Sequence, residues 1–302
     1  MRRAVTIVGV TVDLAAAVSF MATHARVLDR RRFEFLFGDG DAAAVLAAVD
    51  GYRNGDGGYG WGLEPDLRAA ESQPGGALHA LEVFAEVGRS DRAVEACDWL
   101  GRVALPDGGV PFAVPVTDTA GCAPFWVNAD PAASSLQSTA FVAGMALRVA
   151  EKDERVAGHA WLAAATRYCL DAIAGLDEAP HAIVLKFAVG FLDAAAATRP
   201  EAADLLDKLA AFVPEDGLVP VAGGKAGETL RPLDFAPLPD RPARRLFRDE
   251  LIAADLRRLA DGQQDDGGWT VDFDSYSPAA ALEWRGYATV AAVSMLRANC
   301  TG

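Results

Sequence analysis

Residues 263–269 read Gln263-Gln264-Asp265-Asp266-Gly267-Gly268-Trp269 and form the clearest example of a recurring acidic glycine turn. Related acidic glycine turns occur at Asp56-Gly57-Gly58, Asp107-Gly108-Gly109 and Asp216-Gly217. The acidic residues at 56, 107, 216 and 266 are separated by 51, 109 and 50 residues. Since the middle interval is about twice the others, we predict about five repeats of roughly fifty residues, with a degenerate turn near Gly175-Leu176-Asp177.

The intervals between these turns carry segments rich in Ala and Leu, with apolar residues at helical spacing. No segment of useful length alternates between polar and apolar residues, so we predict an all-α chain. The expected helix starts are Ser72, Asp130, Ser134 and Ser277-Pro278. The predicted helices cover residues 13–37, 41–53, 74–88, 90–104, 134–151, 155–174, 180–197, 200–213, 246–262 and 278–298.

A short polar helix runs into each turn, and a longer loop and a more apolar helix follow it. Paired helices at this period suit either an open solenoid or a closed double ring. We expect a ring, a single α/α toroid domain over 1–302. Loops 59–73, 110–133, 218–245 and 269–277 would then surround the mouth of a central cavity.

Composition excludes several classes of protein. The chain has 302 residues, of which 51% are hydrophobic, and its formal net charge is −14. Such an acidic chain repels phosphate backbones, so we expect no nucleic-acid partner. The cysteines are widely spaced and are expected to be free thiols in a reducing compartment. They are Cys97, Cys122, Cys169 and Cys300.

The first residues resemble a signal peptide, because Met1-Arg2-Arg3 precedes an apolar run from Ala4 to Val12. Asp13 interrupts that run, however, and helical spacing of apolar residues continues to Leu28. No uncharged apolar stretch reaches the roughly 18 residues of a membrane span. We therefore expect a cytoplasmic protein without a transmembrane segment.

The turn at 263–269 resembles the QxxxGxW motif of the squalene and oxidosqualene cyclases and their prenyltransferase relatives. Weaker copies without the glutamine stand at Asp56-Gly57-Gly58-Tyr59-Gly60-Trp61 and Asp107-Gly108-Gly109-Val110-Pro111-Phe112. The glycines permit a tight turn, and the aromatic residue packs back on the helix ends. The resemblance implies an α/α toroid of five to six hairpins.

The chain departs from this family at the sites of its chemistry. It has no DxDD motif, which supplies the acid of class II terpene cyclases. None of its cysteines has an aspartate two residues before it, so the DxC zinc site of the protein prenyltransferases is absent. We expect neither a metal site nor a cofactor, and any catalytic acid must come from elsewhere in the sequence.

The first candidate acids, Glu64 and Asp66, lie in a loop before a predicted helix. Arg68 follows closely and could hold one carboxylate ionised while the other acquires a raised pKa. Alternatively, one acid pairs with Arg68 and only pins the loop. Trp61 stands at the start of the same loop and is expected to line the cavity.

The second candidate pair is Asp272 and Asp274, just before the last predicted helix. Nearby Tyr276 and Trp284 could raise the pKa of an acid and stabilise a carbocation with their π faces. Alternatively, Asp274 merely caps the helix and Asp272 is solvated.

Further residues are expected at the cavity mouth. Trp126 lies in a loop before the helix that carries Gln137, and His181 begins another predicted helix. Each could instead have only a structural role. His24, His79 and His159 have no partner at the spacing of metal ligands. One basic cluster, residues 241–248, could bind an anion or simply be the solvated start of a helix.

Together these features predict a terpene-cyclase-like enzyme. It would perform acid-initiated cyclisation or isomerisation of an apolar, isoprenoid-like small molecule. Two alternatives stay open, a carbohydrate-active hydrolase or lyase and a non-catalytic small-molecule-binding protein. Two carboxyl groups about 5–5.5 Å or 6.5–9.5 Å apart across a cleft would favour the carbohydrate-active enzyme. The oligomeric state is left open.

Overall fold

The computed structural model describes residues 4–7 and 10–299. Helices make up 57% of it and the strands are few, which confirms the predicted all-α class. No helix in the described part of the chain is long and apolar enough to cross a membrane. Met1-Arg2-Arg3, part of the possible signal sequence, and Cys300 lie outside the described residues.

The helices and strands are listed here in chain order. The helices are α1 (Leu14–His24), α2 (Val27–Phe37), α3 (Ala42–Val49), α4 (Pro74–Val87), α5 (Asp91–Val103), α6 (Pro124–Val127), α7 (Leu136–Ala150), α8 (Glu154–Ala157), α9 (Ala160–Ala174), α10 (Ala182–Ala195), α11 (Glu201–Ala210), α12 (Pro232–Phe235), α13 (Asp249–Asp261) and α14 (Pro278–Ala298). Short antiparallel hairpins are formed by β1 (Ala4–Ile7) with β2 (Val10–Asp13) and by β3 (Val219–Pro220) with β4 (Thr229–Leu230).

The helix expected over 13–37 is two helices, because Ala25 and Arg26 adopt extended backbone angles. The helix expected over 155–174 is likewise interrupted, and α9 begins afresh where the His159 ring accepts a hydrogen bond from the Trp161 backbone N–H. Ser277 caps α14 as predicted. The expected starts at Ser72 and Ser134 each lie one residue early, since Gln73 and Ser135 occupy the capping positions of α4 and α7. The expected start at Asp130 was wrong, because no helix begins there.

The chain divides into two compact units. The central unit, Val49–Phe212, contains two layers of helices. In one layer α7 packs between α4 and α10, and in the other α9 packs between α5 and α11. Contacts of α4 with α5, α7 with α9 and α10 with α11 join the layers. This arrangement makes three successive helical hairpins, as a fifty-residue repeat requires.

The terminal unit combines Met1–Ala48 with Val213–Gly302. Here α14 packs against α1, α2 and α13, so that both ends of the sequence share one core. Gln263 joins them directly: its amide Nε2 donates to the Asp13 carbonyl, and its Oε1 accepts from the Asp13 backbone N–H at 2.9 Å. Trp269 is buried, and its indole donates to the Leu259 carbonyl.

The four acidic turns are built alike. In each, a carboxylate oxygen of the aspartate accepts a hydrogen bond from the backbone N–H two residues later. The glycine between them has a positive φ, a backbone conformation that glycine adopts more easily than other residues. The carboxylate bonds are Asp56 to Gly58, Asp107 to Gly109, Asp216 to Leu218 and Asp266 to Gly268. This repetition confirms that the acidic glycine segments are turns and explains why aspartate recurs in them.

Three of these turns dock on a neighbouring helix in the same way. At the glycine with positive φ, the position that a Cβ would occupy lies 2.2–3.3 Å from a backbone carbonyl oxygen of that helix. The contacts are Gly57 with Glu95, Gly108 with Ala164 and Gly267 with Ala16. The next glycine lies against an aromatic ring one helical turn further along, namely Trp99, Tyr168 or Phe20. A side chain added at any of these glycines would require the turn or the neighbouring helix to shift.

Candidate active site

In the central unit, the loop before α4 buries two candidate acids. The chain curls back through bonds from the Trp61 backbone N–H to the Ala69 carbonyl and from the Leu67 N–H to the Glu64 carbonyl. This curl encloses residues 62–67, so that Glu64 and Asp66 are only 7% and 5% exposed. Burying carboxylates is costly unless they are hydrogen-bonded or paired with a cation.

Glu64 is paired with a histidine of α4. Its Oε2 lies 2.9 Å from His79 Nε2, and the other ring nitrogen, Nδ1, lies 2.9 Å from Glu82 Oε2. The second Glu64 oxygen, Oε1, lies 3.2 Å from the Asp66 backbone N–H. We call Glu64, His79 and Glu82 the carboxylate–histidine cluster. It holds one imidazole between two carboxylates with little access to water.

The cluster changes the protonation of His79. Burial alone would lower the pKa of the ring. The charge of Glu82 and the hydrogen bond to Glu64 outweigh burial, and the pKa is raised to about 9. The imidazole is therefore protonated at neutral pH and donates a hydrogen bond to each carboxylate. The cluster therefore holds a proton in a buried place between two carboxylates.

We expect this cluster to make stability fall as pH rises. The pKa of His79 is raised from 6.5 to about 9 in the folded protein. The protonated ring therefore stabilises the fold fully below pH 6.5, and this stabilisation is lost as the pH rises from 6.5 to about 9. The expected decrease in the free energy of unfolding is roughly 3 kcal/mol. Urea unfolding at several pH values between about 6 and 10 would measure it.

The variant Glu82→Gln is the matched control for this pH dependence. It keeps an acceptor for His79 but removes the charge that raises the pKa, so its stability should fall less over the same interval. Burial raises the pKa of the Cys97 thiol to about 12, so this thiol also makes stability depend on pH. It contributes equally in the wild type and in the variant, and the comparison cancels it. Identical pH profiles for wild type and variant would contradict the assignment.

An aromatic cluster lies beside Glu64. A Cβ placed at Gly75 would lie 3.4 Å from the Glu64 side chain and 3.5 Å from the Trp126 ring, so both side chains flank this glycine. The Trp126 ring stacks on Phe112 with centroids 4.6 Å apart, and Phe125 lies 5.5 Å away. Trp126 is buried whereas Phe125 is about half exposed, so the cluster extends from the buried carboxylate to the surface.

The second expected acidic site has a different environment. In the terminal unit Asp272 and Asp274 are exposed, and Asp272 faces the Arg258 guanidinium at 3.7 Å. Tyr276 is half exposed, while Trp284 is buried and packs edge-on against Phe273. The enclosed aromatic surrounding expected for these two acids is therefore not formed. Their catalytic role stays a prediction from the sequence.

The other expected residues are dispersed. Trp61 is 57% exposed and its indole donates to Asn54, so it lies on the surface of the central unit. Arg68 is exposed with its side chain beside Gly62 and Gly121. His181 caps α10 by accepting the Ile183 N–H at 3.3 Å, and Gln137 is half-buried in the first turn of α7. Only Trp126 is placed near Glu64.

Sequence reasoning missed His79 and Glu82. Their spacing of three residues on a predicted helix was a usable signal, because such residues are neighbours on a helix surface. The contact of His79 with Glu64 had no such signal, since it depends on how the loop folds back. The sequence analysis considered His79 only as a metal ligand, so its pairing with Glu64 was not predicted.

Two arginines of the basic cluster at 241–248 form hydrogen bonds with other parts of the terminal unit. Arg244 donates to the Ala236 carbonyl and to Asn299, and Arg248 lies 3.4 Å from the Glu215 carbonyl. Among the residues that the structure describes, no group of three or more His, Cys, Asp or Glu side chains is placed to hold a metal ion.

Comparison with known proteins gives a fold but no family. No protein-family model matches the chain, and no curated protein matches it. Among solved structures, the chain is similar to a protein from Actinoplanes, with 17% sequence identity and a TM-score of 0.53. The match covers 96% of this chain and 91% of that one. At this identity the likeness shows a shared fold alone.

Proposed function

We propose that the protein is a terpene-cyclase-like enzyme that transfers a proton to an apolar, isoprenoid-like small molecule. The observation that carries this proposal is the burial of His79 between Glu64 and Glu82. A weakly basic alkene is protonated only by an acid that is held in place against it and away from water. Glu64 is the proposed proton donor, and His79 is the group that supplies its proton.

The single proton held between His79 and Glu64 is sufficient for this reaction. Transfer from His79 Nε2 to Glu64 Oε2 converts an ion pair into a neutral imidazole and a carboxylic acid, with no change in total charge. The acid then gives its proton to one carbon of a double bond, which leaves a carbocation and the Glu64 carboxylate. Loss of a proton from a neighbouring carbon completes an isomerisation or cyclisation, and that proton returns to the cluster or to water.

The aromatic cluster supports an apolar substrate. Phe112, Phe125 and Trp126 pack together, Trp126 and Glu64 flank the same glycine, and the π faces of aromatic rings attract a cation. They also provide apolar area for a hydrocarbon chain without competing hydrogen-bond groups, apart from the Trp126 indole N–H. That N–H is buried and has no hydrogen-bond partner among the described residues.

We also propose that the repeats close into an α/α ring. The support is the turn at Gly267, which docks on Ala16 as Gly57 docks on Glu95 and Gly108 docks on Ala164. The last turn of the sequence thus uses the first long helix as its next neighbour. An open solenoid would leave that turn without such a partner.

The carbohydrate-active alternative fits the cluster less well. Paired carboxyl groups that cleave sugars face each other across an open gap that admits the substrate. The imidazole ring of His79 fills the space between Glu64 and Glu82, and it bonds to both. The two carboxylates therefore cannot flank a glycosidic bond.

Turnover in heavy water tests the proposed function. Purified full-length protein is incubated in D2O buffer with farnesol, geranylgeraniol or squalene, and products are analysed by gas chromatography and mass spectrometry. We expect an isomeric product that carries deuterium from the proton-transfer step. Glu64→Gln should lower the rate by about 10²–10⁴-fold, because general acid catalysis contributes on that scale.

Glu178→Gln is the matched control, since Glu178 is exposed in the same unit and its replacement removes the same charge. It should turn over substrate at the wild-type rate. Unchanged turnover by Glu64→Gln would remove Glu64 from the mechanism. Failure of the wild type to convert any of the three isoprenoids would contradict the proposed substrate class.

A further inference from the structure

A cationic cleft lies in the terminal unit, independent of the carboxylate–histidine cluster. Its volume is about 300 Å³, which is at the lower end for small-molecule sites. Three basic side chains line it together with one hydroxyl and one carboxylate. They are Lys225, Arg231, Arg258, Thr229 and Asp272.

The β3–β4 hairpin builds one wall of the cleft. Its loop contains Gly223 and Gly227, both with positive φ, which lets the chain turn tightly around Lys225. Glu228 holds the loop by accepting the Lys225 backbone N–H at 3.0 Å. The Thr229 hydroxyl donates to the Gly227 carbonyl at 3.2 Å, and Thr229 lines the same cleft.

Carboxylates lie near the cations of the cleft, but they do not satisfy every cationic N–H. Arg258 donates from Nε to the buried Asp255, but its Nη1 faces Asp272 at 3.7 Å, longer than a hydrogen bond. Arg231 has a buried Nε that lacks a hydrogen-bond partner in the described part of the chain. A buried N–H without an acceptor is costly, so an acceptor from a ligand would stabilise it.

Three basic side chains converge here in a chain whose formal net charge is −14, and Asp255 and Asp272 offset part of their charge. The surrounding protein repels anions in general, so an anion would be retained only where several donors converge. Guanidinium groups match the oxygens of phosphate in geometry, and lysine adds a compact charge. The exposed Asp272 opposes such a ligand and forms a loose pair that the ligand would displace.

We propose that the cationic cleft is a binding site for the phosphate group of a small soluble molecule. Arg231 and Arg258 hold the oxygens from one side, and Lys225 holds them from the hairpin, where the Thr229 hydroxyl joins by rotating away from the Gly227 carbonyl. This site is distinct from the proposed proton-transfer centre, and its existence does not depend on the activity proposed there.

Isothermal titration of the full-length protein with inorganic phosphate, pyrophosphate and glycerol 3-phosphate tests the site. Lys225→Ala and Arg231→Ala should each weaken binding about tenfold or more, because each removes a charge-assisted contact. Asp272→Asn should strengthen binding about threefold by removing a repulsive charge. Asp274→Asn is the matched control, since Asp274 is exposed nearby and does not line the cleft, and it should leave affinity unchanged.

Two further binding measurements distinguish the class of ligand. Acetate, with a single charge, should bind more weakly than phosphate, and equal affinity would contradict a phosphate-specific site. Vesicles that contain phosphatidic acid distinguish a lipid headgroup from a soluble phosphate; binding to vesicles alone would overturn the soluble ligand. Circular dichroism melting confirms that each variant is folded. Absence of phosphate binding, or binding that Lys225→Ala and Arg231→Ala leave unchanged, would overturn the site itself.

Discussion

Gly267→Ala is expected to lower the free energy of unfolding by about 3 kcal/mol or more, since strain and overpacking each cost about 1–3 kcal/mol. Gly267 has a φ of 94°, which is unfavourable for any residue with a Cβ. The added methyl group would also lie 2.2 Å from the Ala16 carbonyl oxygen, so the turn and α1 must separate. This separation would disrupt the packing of the last turn against the first helix.

Gly190→Ala is the matched control for this change. Gly190 lies within α10, and a Cβ there would meet no atom within 4 Å. Because alanine is the better helix former by about 1 kcal/mol, this variant should be as stable as the wild type or more so. Urea unfolding of both variants gives the comparison. A Gly267→Ala protein with wild-type stability would show that the turn does not dock on α1.

His79→Leu is expected to cost about 3–5 kcal/mol, the range for breaking a buried ion pair from one side. Leucine is close to histidine in size, so the main loss is electrostatic rather than a cavity. The substitution leaves the carboxylates of Glu64 and Glu82 without their shared cation in a poorly hydrated place. One of them must take up a proton or draw water into the core.

A triple variant separates charge from packing. Combining His79→Leu with Glu64→Gln and Glu82→Gln removes the two stranded charges while keeping side chains of similar size. We expect it to regain much of the stability lost by His79→Leu alone. If the triple variant were less stable than the single one, the cost would come from packing, and the buried ion pairing would be wrong.

The sequence predicted the secondary structure well because its signals are local. The aspartate–glycine turns recur at a fixed period, and each one forms through bonds between residues only a few positions apart. The C-terminal helix over 278–298 has its predicted bounds, since Ser277 caps it and Pro278 suits its first turn. The break at Ala25 escaped prediction because neither that residue nor its neighbours carry a turn signal.

The candidate site was only partly predictable. Glu64 and Asp66 could be selected from their loop, and the structure buries both. The pairing of Glu64 with His79 spans fifteen residues and depends on backbone bonds that no periodicity reveals. In the sequence, Asp272 and Asp274 resemble Glu64 and Asp66, because both pairs lie in a loop before a helix. In the structure, however, their loop leaves Asp272 and Asp274 exposed. Burial of a charge depends on loop geometry, which residue spacing does not determine.

The most direct test of the account is an NMR titration of the His79 ring nitrogens in the full-length protein. Wild type should show a doubly protonated ring at neutral pH that titrates near pH 9, and Glu82→Gln should lower that pKa. This result would establish a buried proton held between two carboxylates, which the proposed chemistry requires. A neutral ring at pH 7, titrating at or below 6.5, would contradict it and leave Glu64 without its source of protons.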